Sequence, residues 1–173
     1  YSPDGKLVAT VSSNQLVVWQ VESGKPAFTF SGNLSGGTVN RTSFSPDGKW
    51  LEVANMDGVP KVCDLANGKE TFALNGHAHL CDAVAYNPAG KLLATGDQAG
   101  TIKIWDAGSG EELLSFGEGG VIHGLDFSPD GTRLAAANED GTLKVWDSGT
   151  GKVLLGLPRT RSSGWFTALA RKT

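Results

Sequence analysis

A short motif returns along the whole chain at nearly constant spacing. Ser-Pro-Asp-Gly begins at Ser2, Ser45 and Ser128, and Asn87 opens an Asn-Pro-Ala-Gly variant in the same frame. The intervals between these starts are 43, 42 and 41 residues. A second motif, an apolar residue followed by a polar one, keeps the same spacing, at Trp19-Gln20, Cys63-Asp64, Trp105-Asp106 and Trp146-Asp147. A repeat of about 20–50 residues indicates one supersecondary unit copied several times.

The content of one unit is clearest at residues 127–152. Two short apolar runs, 134–137 and 143–146, are separated by Asn138-Glu139-Asp140-Gly141 and flanked by Pro-Asp-Gly and Ser-Gly-Thr-Gly turns. Pro, Asp and Gly favour tight turns, and such runs joined by Asp-Gly predict antiparallel hairpins. Elsewhere the runs put apolar residues on both faces, as Ile102, Ile104 and Trp105 do. Sheets packed between two neighbours need that pattern, so four such units predict four-stranded propeller blades rather than a sandwich.

Three motifs carry a resemblance to a known family. They are Ser-Pro-Asp-Gly, the Asp-Gly-Thr-Leu-Lys-Val-Trp-Asp segment at 140–147, and Gly76-His77. Through them nearly all of the 173 residues resemble the WD40-repeat family. The resemblance implies an all-β propeller of four-stranded antiparallel WD40-type blades, with four blades in this chain.

The expected blades follow the repeat. Blade 1 is predicted at 1–31, blade 2 at 38–75, blade 3 at 80–117 and blade 4 at 120–157, as one WD40-repeat domain over 1–173. The predicted strands are 5–12, 15–21 and 25–31; 38–45, 49–56, 59–65 and 69–75; 80–87, 91–98, 101–107 and 111–117; and 120–128, 132–138, 142–148 and 152–157.

The inner strand of blade 1 is missing from the start of the chain. Residues 166–171 align with 122–127, the predicted inner strand of blade 4. In blade 4 this segment ends at Phe127, directly before Ser-Pro-Asp-Gly, and at the start of the chain Tyr1 directly precedes the same motif. A C-terminal strand at 164–171, containing Trp165, Phe166 and Leu169, is therefore expected to complete blade 1, and a frayed tail that happens to contain Trp165 is the alternative.

Four blades do not complete a ring of the usual size. The family mostly closes at seven or eight blades, so four cover about half a circle. We expect a homodimer in which two chains form one eight-bladed ring, each giving its C-terminal strand to the other. Half of a longer chain's propeller and a closed four-bladed monomer are the alternatives. If the arc is open, Trp146 in blade 4 is expected to face its edge.

Composition limits the partners. The chain has 15 Lys and Arg against 18 Asp and Glu, a net charge of −3, which argues against nucleic acid despite basic residues at 159, 161, 171 and 172. No apolar run approaches the ~20 residues of a membrane helix. Cys63 and Cys81 fall in strands of different blades, so buried free thiols and a cytoplasmic location are expected.

The resemblance implies a hydrogen-bond network in each blade, linking a His, a Ser or Thr, an Asp and the Trp. None of the blades is expected to hold a complete set. Blade 3 has His77, Thr95 and Trp105 with Ala99 in the turn, and blade 1 keeps Trp19. Blade 4 has Asp140 and Trp146 with Gly119-Gly120 in place of Gly-His, and blade 2 has Asp57 with Cys63 in place of Trp.

No catalytic pattern is found. His77 and His79 are spaced poorly for a metal, and neither a metal nor another cofactor is expected. The segment 117–120 lacks the Lys-Ser/Thr of a phosphate loop. A non-catalytic scaffold that binds proteins or peptides through loops is the leading hypothesis, with contacts expected at Asn14, Met56, His79, Gln98 and Glu139. A structural fragment of a larger multi-domain protein is the main alternative, and an enzyme or small-molecule binder using the channel is the third.

Overall fold

The computed structural model describes residues 1–12, 15–31, 39–55, 59–117 and 119–159. These residues form fifteen β-strands, and no helix occurs among them. Each observed strand overlaps a predicted one, with ends that differ by at most two residues, so the all-β prediction is confirmed. The strands are β1 Leu7–Ser12, β2 Gln15–Gln20, β3 Pro26–Ser31, β4 Val39–Phe44, β5 Trp50–Asn55, β6 Lys61–Asp64, β7 Lys69–Ala73, β8 Cys81–Tyr86, β9 Leu92–Asp97, β10 Thr101–Asp106, β11 Glu112–Gly117, β12 Ile122–Phe127, β13 Arg133–Asn138, β14 Leu143–Asp147 and β15 Val153–Leu157.

Every strand pairs antiparallel with the next strand of its sheet. Blades 2, 3 and 4 are the four-stranded sheets β4-β5-β6-β7, β8-β9-β10-β11 and β12-β13-β14-β15. Blade 1 is the three-stranded sheet β1-β2-β3 in the part of the chain that is described. The strand expected at 164–171 to complete it lies outside the described residues.

The Ser-Pro-Asp-Gly motif forms the turn between the first two strands of a blade. Ser45 Oγ donates to Asp47 Oδ1 at 2.7 Å and accepts the Trp50 backbone N–H at 2.9 Å. Gly48 takes a φ of 70°, which favours glycine. In blade 3 the Asn87 side-chain oxygen accepts the backbone N–H of residues 91 and 92 instead, which explains why Asn replaces Ser there.

Neighbouring blades pack face to face, and each such interface is called a seam here. The seam of blades 1 and 2 joins Leu16 and Val18 to Leu51, Val53 and Cys63. The seam of blades 2 and 3 joins Val62 and Leu74 to Tyr86, Leu93 and Trp105. The seam of blades 3 and 4 joins Ala94, Ile102 and Ile104 to Ile122, Leu134 and Trp146. The core is therefore divided among three seams.

The turns also pack across the seams. A Cβ placed on the glycine between the last two strands of a blade would lie within 3 Å of a phenylalanine ring of the preceding blade. This holds for Gly68 against Phe28, Gly110 against Phe72 and Gly151 against Phe116. The glycine of each first turn lies near a proline of the preceding blade, in the pairs Gly48 and Pro3, Gly90 and Pro46, and Gly131 and Pro88. In blade 1 the equivalent glycines, Gly5 and Gly24, have no atom of the described residues within 4 Å of such a Cβ.

Two sheet faces lie outside the three seams. The first, the leading face, is the side of blade 1 that carries Val8, Thr10, Val17 and Trp19. The second, the trailing face, is the side of blade 4 that carries Leu143, Val145, Leu155 and Leu157. Trp19 therefore lies on a face of blade 1 that belongs to none of the three seams.

The expectation that Trp146 faces the edge is wrong. Its side chain is 4% exposed and packs on Phe116 of blade 3, with the ring centroids 5.0 Å apart. Blades 3 and 4 direct the Trp of their third strand toward the preceding blade, so the equivalent Trp left without a preceding blade is Trp19 in blade 1.

Candidate functional site

A continuous chain of hydrogen bonds occupies the seam of blades 2 and 3. Trp105 Nε1 donates to Thr95 Oγ1 at 2.7 Å, and Thr95 Oγ1 lies 2.6 Å from His77 Nε2. His77 Nδ1 lies 2.9 Å from Asp97 Oδ2. With Nδ1 protonated, every group has a partner: the indole and hydroxyl each donate to the next group, and the imidazole donates to the carboxylate.

Burial fixes the protonation state of the imidazole. The His77 side chain is 0% exposed, and this desolvation lowers the pKa of His77, while its hydrogen bond to Asp97 acts in the opposite direction. The contact is therefore a hydrogen bond from a neutral ring rather than an ion pair. A neutral imidazole whose two nitrogens are both engaged has neither a free base nor a free ligand atom, which makes His77 a structural residue.

The Asp of this network is Asp97, at the end of β9, and the expectation that Ala99 leaves blade 3 incomplete is wrong. Asp97 Oδ1 also accepts the backbone N–H of Ala99 at 3.0 Å and of Thr101 at 2.8 Å. One carboxylate therefore closes the turn after β9 and holds the histidine. An aspartate two residues earlier than expected does this because its side chain reaches forward to backbone N–H groups, as in an Asx turn.

The position equivalent to His77 in blade 4 also differs from the expectation. Strand pairing matches Cys81 with Asp97 in blade 3 and Ile122 with Asn138 in blade 4, so Cys81 and Ile122 are equivalent positions. His77 lies four residues before Cys81 in the sequence, and the residue four before Ile122 is Glu118, not Gly119 or Gly120. Gly76 and Gly117, which precede these two positions, have similar φ angles of 155° and 150°. Glu118 lies outside the described residues.

The other blades keep only parts of the network. In blade 1 the Trp19 indole donates to Thr10 Oγ1 at 2.7 Å, a pair that the sequence did not predict although Thr10 precedes the turn as Thr95 does. In blade 4 Trp146 Nε1 is buried and has no hydrogen-bond partner among the described residues. Asp140 instead accepts the backbone N–H and hydroxyl of Thr142, so Asp140 and Trp146 are not linked. Asp57 lies outside the described residues.

The loops around Asp97 form one end of blades 3 and 4. Gln98 N–H donates to the Leu80 carbonyl, and Glu139 N–H donates to the Val121 carbonyl. The side chain of Gln98 also donates to Asp82 Oδ2 at 3.0 Å. His79, Gln98 and Glu139 are exposed there, whereas Asn14 and Met56 lie outside the described residues. The structure thus places three of the five expected contact residues on surface loops.

Glu52 is a buried charge that the sequence motifs do not reveal. It is 0% exposed, and within the described ranges neither carboxyl oxygen has a hydrogen-bond partner. By strand pairing it stands where blades 1, 3 and 4 have alanine, at Ala9, Ala94 and Ala135. Burial raises the pKa of Glu52 well above its usual range. Comparing the aligned strands would have identified it as the only ionisable residue at that position.

Other chemistry is sparse in the described ranges. They hold no group of three or more His, Cys, Asp and Glu side chains placed to bind a metal ion. None of these residues belongs to a helix with the length and apolar character needed to cross a membrane. Cys63 and Cys81 are free and buried, and burial raises the pKa of Cys63 to about 12. The Cys63 thiol is therefore held in its unreactive protonated form.

We expect Asp97→Ala to lower the free energy of unfolding by about 2–3 kcal/mol, because it leaves the buried His77 N–H unpaired and opens the turn. Asn138→Ala is the matched control, since Asn138 holds the equivalent place in blade 4 and is only half buried. Urea unfolding of both variants measures the difference. Equal losses at the two sites would contradict a special role for Asp97.

Comparison with known proteins identifies the repeats. The family model described as WD domain, G-beta repeat matches residues 68–106 and 110–147. The model described as Anaphase-promoting complex subunit 4 WD40 domain matches residues 1–84. Together the two WD40 models reach every one of the four blades.

Two curated relatives match part of the chain. Nuclear distribution protein PAC1 of Coccidioides posadasii (strain C735) is 31% identical over 81 residues, which are 46% of this chain and 17% of that protein. Small ribosomal subunit protein RACK1 of Caenorhabditis elegans is 37% identical over 70 residues, 40% of this chain and 20% of that protein. The matched part of the chain thus spans a fifth or less of these relatives.

Proposed function

The chain belongs to the WD40-repeat family, and we propose that it is a non-catalytic interaction module that binds proteins or peptides through the loops at one end of its blades. The observation that carries this proposal is the way the loops are held. Asp97, itself 1% exposed, fixes the turn beneath Gln98 through two backbone hydrogen bonds. A rigid base under exposed polar side chains is suited to recognition, since little ordering entropy is lost on binding.

The neighbouring loops support the same end as the binding surface. The backbone bonds of Gln98 and Glu139 tie each loop to the strand entry of its own blade. A Cβ on Gly100 would lie 2.4 Å from the Gly119 backbone, so the loops of blades 3 and 4 are in close contact. His79, Gln98 and Glu139 therefore belong to one surface, and the proposal extends it to Asn14 and Met56 by the repeat.

We expect a loop variant carrying His79→Ala, Gln98→Ala and Glu139→Ala to lose peptide binding while the fold is kept. Peptides would first be selected from a displayed random library against the wild-type chain. The matched control carries Glu111→Ala and Lys152→Ala, which are exposed near turns between the last two strands of a blade. Selected peptides that bind the loop variant as tightly as the wild type would refute the loop surface.

The proposal also includes assembly of two chains into one eight-bladed propeller. This part of the proposal is supported by the residues of the leading and trailing faces, which match in strand register the residues that pack in the three seams. Leu155 and Leu157 are 49% and 46% exposed, whereas Leu114 and Phe116, which occupy the same register in blade 3, pack in the seam with blade 4. The trailing face thus offers the type of surface that each blade presents to the next.

The leading face offers the other half of such a seam. Gly5 and Gly24 have open space where the equivalent glycines of blades 2, 3 and 4 meet a proline and a phenylalanine. Trp19 is only half buried, while Trp105 and Trp146 in the same position are covered by the preceding blade. A trailing face of a second chain would supply Pro129 and the two exposed leucines to these places.

We expect a chain truncated after residue 163 to lose the two-chain assembly and to aggregate. In the proposed assembly residues 164–171 form the inner strand of the partner's blade 1, so their removal exposes an unpaired strand edge. Light scattering and sedimentation of the truncated and full chains make the comparison. If the truncated chain stays soluble and has the same oligomeric mass and the same stability as the full chain, residues 164–171 do not close the assembly.

The proposed setting is the cytoplasm, where thiols stay reduced. Two free, buried cysteines support it, because they are compatible with a reducing compartment. The proposed partners do not include nucleic acid or lipid, in keeping with the net charge of −3.

A further inference from the structure

A small pocket lies in the seam of blades 3 and 4, beside Ala136, which takes the place of Thr95. Ala136, Asn138 and Trp146 line it. These residues occupy the register of Thr95, Asp97 and Trp105. Among the described residues, blade 4 therefore has the first and last members of the network and alanine in place of the threonine between them.

The indole of Trp146 directs an unpaired donor into this pocket. Trp146 is 4% exposed, and its buried Nε1 has no partner in the part of the chain that the structure describes. Trp105 Nε1, in the same register, donates to Thr95, but Ala136 has no hydroxyl to replace it. A buried N–H without an acceptor is destabilising, so an acceptor at this point would stabilise the seam.

We propose that the pocket is a binding site for one structural water molecule. Its volume is about 10 Å³, close to the least that a single water requires. A larger ligand, such as a ring of the size of the His77 imidazole, does not fit. Most of the lining is apolar, but the Trp146 indole N–H and the Asn138 side chain provide the two polar partners that a single buried water needs.

The water has a partner on each side. It accepts a hydrogen bond from the Trp146 indole N–H and donates one to the side-chain oxygen of Asn138. The Asn138 amide nitrogen donates to Thr142 Oγ1 at 3.1 Å, which leaves the side-chain oxygen as the acceptor for the water. The chain from Trp to water to Asn thus replaces the chain from Trp through Thr and His to Asp. Lys144 also lines the pocket.

Two isosteric variants test the water. Ala136→Val fills the pocket with methyl groups and offers no acceptor, whereas Ala136→Thr has the same shape and supplies the hydroxyl that Thr95 provides in blade 3. Because Ala136→Val expels the water and leaves the Trp146 N–H without an acceptor, we expect its urea midpoint to fall below that of the wild type, whereas Ala136→Thr should match or exceed the wild type. If the wild-type pocket is dry, filling it with methyl groups would bring the midpoint of Ala136→Val to that of the wild type or above, and the proposal would fail.

Nuclear magnetic resonance detects the water directly. In protein labelled with ¹⁵N-tryptophan, the indole resonance that disappears in Trp146→Phe is that of Trp146. We expect it to show cross-peaks to water with nuclear Overhauser effects of opposite sign in the laboratory and rotating frames, the signature of a long-lived bound water. Ala136→Val should abolish them. Their absence from the wild type would overturn the proposal.

A Glu118→Ala variant separates the water from a competing acceptor. Glu118 aligns with His77 in the sequence, and a carboxylate is a competing acceptor for a hydrogen bond from the Trp146 indole N–H. We expect the water cross-peaks to persist in Glu118→Ala, with the Trp146 indole shift unchanged. A large shift of that resonance, with no water cross-peak in the wild type, would assign the acceptor to Glu118 and refute the hydration site.

Discussion

Replacing Trp105 by alanine is expected to lower the free energy of unfolding by about 3–5 kcal/mol, the usual loss for truncating a buried tryptophan. Trp105 is 1% exposed and packs on Val62 and Leu74 of blade 2. Its removal also deprives Thr95 of a hydrogen-bond partner in the network. Urea unfolding of the variant and the wild type under identical conditions gives the difference.

Trp19→Ala is the matched control, because Trp19 makes the same bond to a threonine but lies on the leading face. At protein concentrations where single chains prevail, we expect it to lower the free energy of unfolding by only about 1 kcal/mol, in keeping with one exposed hydrogen bond and partial burial. Trp146→Ala should resemble Trp105→Ala, since Trp146 is buried in a seam. A loss at Trp19 equal to that at Trp105 in single chains would contradict the open leading face.

Glu52→Gln is expected to stabilise the protein at neutral and alkaline pH. Burial raises the pKa of Glu52 above its ordinary value of 4.5, so the folded state holds this proton more tightly than the unfolded state does. The contribution of Glu52 to stability is therefore greatest below pH 4.5. It falls by roughly 1.4 kcal/mol per pH unit as the pH rises from there toward the raised pKa. The amide keeps the size of the side chain and has no charge to bury.

The pH dependence identifies the residue responsible. Unfolding free energies measured from pH 4 to pH 9 should be flatter for Glu52→Gln than for the wild type, and the two curves should approach each other at the acid end. Glu111→Gln is the control, because Glu111 is exposed and its neutralisation should leave the slope unchanged. Parallel curves for wild type and Glu52→Gln would show that Glu52 is not the buried acid.

The strands could be predicted from the sequence because each is bounded by the same turn residues in every repeat. Ser45 and Asp47 make their hydrogen bonds within their own turn, so the local pattern is enough to place β4 and β5. Substitutions that preserve the turn by another route, such as Asn87, do not disturb the repeat.

The network and the edge of the arc could not be predicted in the same way. The family pattern expects an Asp at a fixed place in the turn, whereas Asp97, a carboxylate at the end of β9, reaches both His77 and the turn. Which face of blade 4 is open depends on whether each Trp points to the preceding or the following blade. Strand alternation assigns Trp146 to a face but gives no direction around the arc, so the prediction placed the wrong tryptophan at the edge.

The mass of the intact chain in solution tests the two-chain propeller most directly. Static light scattering at tens of micromolar should give about twice the 18.0 kDa of one chain, with Trp19→Ala shifted toward one chain because it removes the largest side chain of the leading face. A wild-type sample that is folded and has the mass of a single chain at that concentration would contradict the two-chain propeller.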